Sequence, residues 1–305
     1  MGAQTKVENT LTADLTSIVV VAADSGDDLG SCVERVIASN ARVELIVSDN
    51  ASTDGSVDAV AACWASDARV RIVHNGKNLG FGAGCNRGAA SARGGALLFL
   101  NPDCRIEVDT VARLRVHLAA DPRIGLVGAR IVGTQDEPEP ASRRRDPLLR
   151  RALMSLSGLA RFESRWPALA GATVPACVDG PVLEEVDAVS GALMLLPRVV
   201  FDRVGGFDEG YFLHCEDLDL CRRVRDAGLR VVCANDVRVV HVKGTSSRSR
   251  PFFVARHKHR GMWRWFTKFD PSARNPLLRA LVWLGLWTHF ALLSPRYAWK
   301  TLRQR

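Results

Sequence analysis

The sequence predicts an α/β protein with a mostly parallel central sheet, helices on both of its faces and a helical C-terminal extension. Two observations carry that expectation. From Ser17 to about residue 101, short apolar runs alternate with longer amphipathic stretches in a repeated strand–helix rhythm. The apolar runs are continuous rather than alternating, as strands covered on both faces must be. With 305 residues, 47% hydrophobic and 24% charged, the chain can bury a substantial core.

Each element has a local reason. "SIVVVAA" (17–23) reads as a buried strand. "DDLGSCVERVIASN" (27–40) follows as a helix with Leu29, Val33, Val36 and Ile37 on one face. "VELIVSDN" (43–50) is the second strand, and "DGSVDAVAACWA" (54–65) a second helix with Asp54 as candidate N-cap. "RVRIVHN" (69–75) is the third strand. The Gly-rich "LGFGAGCNRGAASA" opens a third helix, and "GALLFLN" (95–101) is the fourth strand. A helix at about 107–120 and the strand "IGLVGARIV" come next. Residues 133–185 are irregular and include the charge-segregated, Pro-rich "DEPEPASRRRDP", which reads as a mobile loop. Regular patterning returns from "EVDAVSGALMLLP" to about residue 244.

The division expected is a disordered segment 1–16, a catalytic-type domain 17–249 and a tail 250–305. The tail carries twelve Lys or Arg against the single acid Asp270, and five of the seven tryptophans. Its apolar run 277–293 contains Arg279 and His289 and is shorter than the roughly 20 residues that span a bilayer. A basic, Trp-rich amphipathic helix lying in the membrane interface is expected, the competing reading being a terminal helix packed on the core. The net charge of +8 admits anionic partners. The first sixteen residues lack the apolar core of a signal peptide, so export is not expected, and Lys6 removes a myristoylation signal. No cysteine pair has C-x-x-C spacing, so reduced, buried thiols are expected.

Acidic residues gather where strands end: Asp24 after the first, Asp49 and Asp54 after the second, Asp103 after the fourth. A further cluster, Asp208, Glu209, Glu216, Asp217 and Asp219, lies in "FDEGYFLHCEDLDLCRR". Ligands of open α/β sheets sit at the carboxyl ends of strands. Carboxylates converging there repel unless a cation or a hydrogen-bonding ligand intervenes, and a nucleoside diphosphate with Mg2+ or Mn2+ meets that need. Taken singly, Asp54 and Asp208 read better as turn or cap residues.

Five motifs in order, "VSDNASTDGS", "NLGFGAGCNRG", "FLNPDC", "SGALMLLPRVVFDRVGGFDEGYFLHCEDLDLCRRVRDAGLRV" and "HVKGTS", make residues 17–245 resemble the inverting, nucleotide-sugar-dependent glycosyltransferases of family 2, which have the GT-A (Rossmann-like) fold. Within that family the N-P-D-C form and the E-D-x-D-L-C block look most like bacterial rhamnosyltransferases of cell-surface polysaccharide synthesis. The resemblance implies that Asp24, Asp49 and Asp54 hold the nucleotide's base and ribose, and that Asn78, Gly80, Phe81 and Asn86 line it. Asn101 replaces the first acid of the family's D-x-D motif. Asp103, its remaining acid, would hold Mg2+ or Mn2+, with His241 either a further ligand or diphosphate contact or, since it follows the apolar run "VRVV", a core or strand-end histidine. Asp217 would be the base that deprotonates the acceptor hydroxyl, with Glu216 beside it, and Gly191 and Ala192 would leave room for sugar and acceptor. Arg222 or Arg223 could hold phosphates. The stretch Ala22–Ser25 departs from the family's pattern, so the nucleotide pocket differs there.

The expected partners are a nucleotide-diphosphate sugar, with dTDP-rhamnose as the donor the resemblance favours, a lipid-linked saccharide and the inner face of the cytoplasmic membrane. Two other classes fit the sequence less well. A sugar-phosphate nucleotidyltransferase needs a basic Gly-rich loop after the first strand, where this chain has Asp24, Asp27 and Asp28. A basic nucleic-acid or membrane-binding scaffold conflicts with an acidic crevice, which repels a nucleic-acid backbone.

Overall fold

The structure is a computed structural model that describes residues 14–174, 180–242 and 251–302. Most of the N-terminal segment expected to be disordered (1–13), and 243–246 of the last motif, lie outside the described residues. The parallel part of the sheet follows the predicted order: β1 (Thr16–Ala22), β2 (Val43–Asp49), β3 (Val70–His74) and β4 (Ala96–Leu100). β1 lies between β2 and β4, with Ala22 level with Asp49 and Val20 with Leu100. β10 (Leu193–Pro197) runs antiparallel to β4 and to β6 (Ile124–Val132), and β6 is parallel to β11 (Arg230–His241). The short β5 (Cys104–Arg105) closes the far edge on β11, which also pairs with β8 (Leu183–Glu185). A separate small ladder joins β7 (Arg143–Arg144) to β9 (Ala188–Val189).

Alternation along β1 sends its side chains to two cores. Ile18 and Val20 face α1 (Asp27–Ile37), α2 (Ser56–Cys63) and α4 (Thr110–Ala119). Val19 and Val21 face α3 (Phe81–Ala90), α6 (Arg198–Arg203) and α7 (Glu216–Asp226). A strand buried on both faces is apolar at every position, which is why β1 and β4 read as unbroken runs. Leu98 and Phe99 are wholly buried on opposite faces, and truncating either to alanine would cost about 2–5 kcal/mol. The glycines of α3 serve the same packing: a Cβ at Gly88 would lie 2.4 Å from Val19, and one at Gly84 2.8 Å from Val21. The helix therefore sits closer to β1 than any larger residue would permit.

At the amino end of the strands the buried Glu44 accepts from Ser17 Oγ (2.6 Å), Arg71 Nη2 (2.9 Å), and the Arg93 backbone N–H (2.6 Å) and Nε (2.8 Å). That carboxylate is a structural knot, at the opposite end of the sheet from the acids of the candidate site.

Two stretches carry structure that the sequence pattern does not foretell. In the stretch expected to be a mobile loop, buried Asp146 pairs with Arg222 and Arg225 of α7 and Arg143 with Glu184 of β8, while Arg145 pairs with Glu163 within the same irregular region. Ser142 Oγ bonds both the N–H and the C=O of Ile131, and a helix, α5 (Leu149–Leu156), follows. The tail is not one unit either. Its first helix, α8 (Pro251–Phe269), inserts Trp265, 1% exposed, into the core between sheet and α7. Arg264 and Lys268 of α8 bind Asp208, and Lys268 also binds the fully buried Asp219. The charges expected on a membrane-facing surface are thus partly spent on the protein's own carboxylates. Only α9 (Pro276–Leu302) lies outside the core. Its stretch Pro276–Arg296 is long and apolar enough to cross a membrane by length and composition, and none of it is buried. The sequence-based length falls short because the helical span starts at Pro276 and runs past Leu293 to Arg296, residues the apolar run does not include.

Candidate active site at the carboxyl edge of the sheet

Asp49 ends β2 facing the crevice, 6% exposed. Its Oδ1 accepts the Ser52 N–H (2.8 Å) and its Oδ2 meets His74 Nδ1 (3.0 Å). Burial opposes its charge, but the Ser52 N–H and His74 outweigh it and hold the carboxyl below the ordinary range. Asp24 and Asp54 bond the loops around them. Asp24 accepts from the N–H (2.7 Å) and Oγ1 (3.2 Å) of Thr53. Asp54 accepts from the Gly26 N–H (2.7 Å) through one oxygen and from Ser56 through the other. The two acids clip the loops after β1 and β2 together, because short acidic side chains at strand ends satisfy turn N–H groups.

Asn50, which sequence reasoning passes over, is the latch of the Gly-rich loop. It is buried, donates to Gly80 O (3.0 Å) and accepts from Asn75 (2.9 Å). Asn78 turns its own Oδ1 back on the Gly80 N–H (2.9 Å). Gly80 has φ of 89°, and a Cβ there would lie 2.3 Å from Phe212 O, so only glycine fits. Phe81 packs edge-on against Phe207 (6.1 Å). Asn86 donates to Phe207 O (2.9 Å), accepts from the Phe207 N–H (2.8 Å) and makes a further bond to Glu209.

After β4 the chain turns at Asn101, whose N–H donates to Ala192 O (2.9 Å) at the start of β10. That bond joins the two halves of the crevice. β5 then places Cys104 opposite His241. His241 Nε2 lies 3.1 Å from Asp103 Oδ1, and its Nδ1 lies 3.0 Å from Glu139 Oε1. Burial disfavours the imidazolium, but bonds to Asp103 and Glu139 raise the His241 pKa to about 9. The ligand atoms of Asp103, Cys104 and His241 lie within 4.8 Å of one another. A carboxylate and an imidazole fit Mg2+ or Mn2+ completed by phosphate oxygens and water. The Cys104 thiol does not: burial pushes its pKa well up, and it donates to Ala192 O (3.5 Å).

Asp217 stands on the first turn of α7. Its Oδ2 accepts the Gly191 N–H (3.0 Å) and a bond from Arg144 Nη2, and its Oδ1 accepts the Leu218 N–H (2.8 Å). A Cβ on Gly191 would lie 3.2 Å from the Asp217 Cβ, so the small residues at 191 and 192 set how closely β10 and α7 meet. Burial works against ionisation of Asp217, but the Arg144 guanidinium and the two N–H donors hold its pKa below the ordinary value. Glu216 behaves oppositely. Burial, then the neighbouring Asp217 charge, push its pKa up, and its Oε2 has no hydrogen-bond partner among the described residues. Two adjacent carboxyls with pKa values driven apart are the arrangement expected of a site with one ionised base.

The turn before α7 is strained: His214 and Cys215, neither a glycine, have φ of 67° and 72°. α8 braces it. Phe212 packs on Phe253 (5.4 Å) and His257 (4.5 Å), and Gly261 abuts the His214 carbonyl. The arginines expected as phosphate ligands are taken: Arg222 by Asp226 and Asp146, Arg223 by Asp219 and Val204 O.

Asp49, Asp103 with His241, and Asp217 therefore line one edge of one sheet. The model of the glycosyl transferase family 2 matches residues 17–170 of the chain. The chain belongs to glycosyl transferase family 2. Its relatives include an N-acetylglucosaminyl-diphospho-decaprenol L-rhamnosyltransferase of Mycobacterium tuberculosis, 28% identical over 293 residues, covering 87% of this chain and 93% of the relative. A rhamnosyltransferase of Escherichia coli K12 is 42% identical over 93 residues, 30% of this chain and 33% of that protein. Among solved structures, a mannosyltransferase from Pyrobaculum calidifontis in complex with GDP-Man and Mn2+ superposes with a TM-score of 0.57 at 17% identity, over 94% of this chain and 73% of that one. That likeness shows the shared fold. In this fold the Asn101–Ala192 bond ties the end of β4 to the residue beside Gly191, whose N–H donates to Asp217.

Proposed function

We propose that the protein transfers L-rhamnose, with inversion, from dTDP-rhamnose to a lipid-linked saccharide during cell-surface polysaccharide synthesis, at the cytoplasmic face of the membrane. The observation that carries the reading is the pairing, across the Asn101–Ala192 bond, of a carboxylate–imidazole site at Asp103 and His241 with an ionised Asp217. Asp49, and the loop latched by Asn50, receive the nucleoside, since a carboxylate accepts from both a ring N–H and a ribose hydroxyl. Asp103 and His241 would hold Mg2+ or Mn2+, which neutralises charge on a departing diphosphate. Asp217 removes the acceptor hydroxyl's proton as that oxygen attacks the anomeric carbon from the face opposite the leaving group. Its place at a helix N-terminus keeps it ionised at neutral pH. The rhamnosyl donor and lipid-linked acceptor are supported by the mycobacterial relative, whose name gives both rhamnosyl transfer and a diphospho-decaprenol acceptor.

Membrane attachment through α9 belongs to the same reading. α9 lies along α8, with His259 Nε2 3.0 Å from His289 Nδ1, Phe252 against Phe290 (5.2 Å) and Arg279 over Trp263 (5.8 Å). Exposed Leu277, Leu281, Leu284 and Leu292 form a stripe on α9. Crossing the bilayer would draw the exposed Arg256, Lys258 and Arg260 of α8 in with it, at a cost of a few kcal/mol per charge. An in-plane helix buries the stripe and leaves those charges among lipid headgroups.

The test is a donor screen: transfer and hydrolysis of dTDP-rhamnose, UDP-sugars and GDP-sugars, with Mn2+ and with EDTA, on a polyprenyl-diphosphate saccharide. Preference for dTDP-rhamnose, loss of rate in EDTA and an inverted anomeric configuration in the product are expected. Turnover of a UDP- or GDP-sugar alone, or an undiminished rate in EDTA, contradicts the donor or the metal respectively.

A further inference from the structure

Resting on the reading of Asp217 as base, the geometry points to Arg144 as a positioning residue that fixes the Asp217 carboxylate so that Oδ1 is the atom receiving the acceptor's proton. An ionised carboxylate offers about four lone-pair sites, two on each oxygen. Oδ2 uses both, on Arg144 Nη2 and the Gly191 N–H. Oδ1 uses one, on the Leu218 N–H, and among the described residues accepts no other bond. One site on Oδ1 is left for substrate. The acceptor O–H proton passes to it, the acceptor oxygen bonds to the anomeric carbon, and the carbon–oxygen bond to the diphosphate breaks with its electron pair leaving on the nucleotide.

Arg144 is built for this. Its backbone is paired to β9, with Arg144 level with Ala188, and its Nη2 also donates to Val189 O (2.6 Å), two residues before Gly191. One guanidinium nitrogen therefore ties the base to the strand that carries Gly191. The flanking arginines point elsewhere, Arg143 to Glu184 and Arg145 to Glu163, as alternation along a strand requires. Of the three, Arg144 alone reaches the crevice, and its Nε is buried without a partner among the described residues. A fork so placed is rigid where a lysine would not be.

Among the described residues, the groups that act on Asp217 and its surroundings come from three places: β7, α7 with the turn before it, and α8. Arg144 comes from β7, Glu216 and Cys221 from its own helix, and His214 and Cys215 from the turn before it. α8 contributes Lys258, which acts on His214 and Cys215. Glu216 is held neutral by burial, and burial likewise lowers the His214 pKa and raises those of both thiols. Arg144 is thus the fixed positive charge in direct contact with the base.

The experiment measures kcat and donor KM against pH for the full chain and for Arg144→Gln, Arg144→Lys and Asp217→Asn. In Arg144→Gln, kcat at pH 7 is expected to fall about tenfold or more with donor KM within about twofold, and the acid limb of kcat to move up by about one pH unit. Arg144→Lys keeps the charge but loses the fork, so its limb stays in place while kcat falls about threefold or more. A fall in kcat with an unmoved limb in Arg144→Gln would reduce Arg144 to packing. Wild-type kcat in either arginine variant overturns the inference outright, and Arg144→Lys decides it should the glutamine variant not fold. Asp217→Asn separates the two levels. If it transfers sugar normally, the base assignment itself is lost; if it is inactive while Arg144→Gln is unaffected, only the role of Arg144 is.

Discussion

Gly261→Ala should slow transfer far more than it destabilises the protein. Gly261 lies in α8 where a Cβ would meet His214 O at 2.6 Å and Cys215 Cβ and Sγ at 3.4 Å. Carbon–oxygen contacts open to about 3.3 Å, so helix and turn must part by about 0.7 Å. Overpacking of this kind costs about 1–3 kcal/mol, and the helix-propensity gain of alanine over glycine returns about 1 kcal/mol. The net loss of about 0–2 kcal/mol lowers Tm by about 8 °C at most. The displaced atoms are the strained His214–Cys215 turn that sets the direction of Glu216 and Asp217, and a misplacement approaching 1 Å costs on the order of 100-fold in rate. The expected kcat is therefore about 10–100-fold down. Gly285→Ala is the matched control: it is also helical, has nothing within 4 Å of its added Cβ, and should raise Tm by a few degrees at most and leave kcat unchanged. Differential scanning fluorimetry and initial-rate kinetics on both variants decide the matter. Wild-type kcat in Gly261→Ala, with Tm lowered, would refute the claim that α8 braces the catalytic turn.

Three further outcomes follow from the same geometry. Glu139→Gln, which weakens the acceptor 3.0 Å from His241 Nδ1, should loosen Mn2+ binding about 10–100-fold by electron paramagnetic resonance titration, because the outer hydrogen bond fixes which imidazole nitrogen faces the ion; unchanged affinity would remove Glu139 from that role. Glu216, whose folded pKa is raised above its ordinary 4.5, binds its proton more tightly when folded. Its contribution to stability is fully present below pH 4.5 and is lost as pH rises through the raised value, so urea unfolding should show wild-type stability declining relative to Glu216→Gln from pH 5 to pH 8. A pH-independent difference would contradict the burial argument. A chain ending at Asn275 keeps Trp265 and α8 and should retain its fold by circular dichroism while losing co-sedimentation with anionic vesicles; unchanged sedimentation would place the lipid contact elsewhere.

The β1–β4 rhythm is legible in the sequence because continuous apolar runs report burial on both faces. The strand-end places of Asp49 and Asp103 and the helix-start place of Asp217 are legible because each adjoins an element boundary that the apolar pattern marks. Three kinds of residue are not. Glu139 and Arg144 belong to a stretch without periodicity, and their partners lie 102 and 73 residues further along the chain. No local pattern predicts such pairings. The glycines of α3 suggest room for a ligand, but Gly84 and Gly88 make room for Val21 and Val19; small residues signal close approach without saying of what. Trp265 resembles its neighbours as a membrane anchor, yet tryptophan suits a core as well as an interface, and only packing tells the two apart.

The central claim is that acids from β2, the β4–β5 turn and α7 serve one reaction. Its most direct test is Asp217→Asn, assayed for rhamnosyl transfer with Mn2+ alongside calorimetric binding of the donor. The account predicts a fall in kcat of about 100-fold or more with donor affinity unchanged, since Asp217 acts on the acceptor. Transfer at the wild-type rate by a variant that binds donor normally would contradict it.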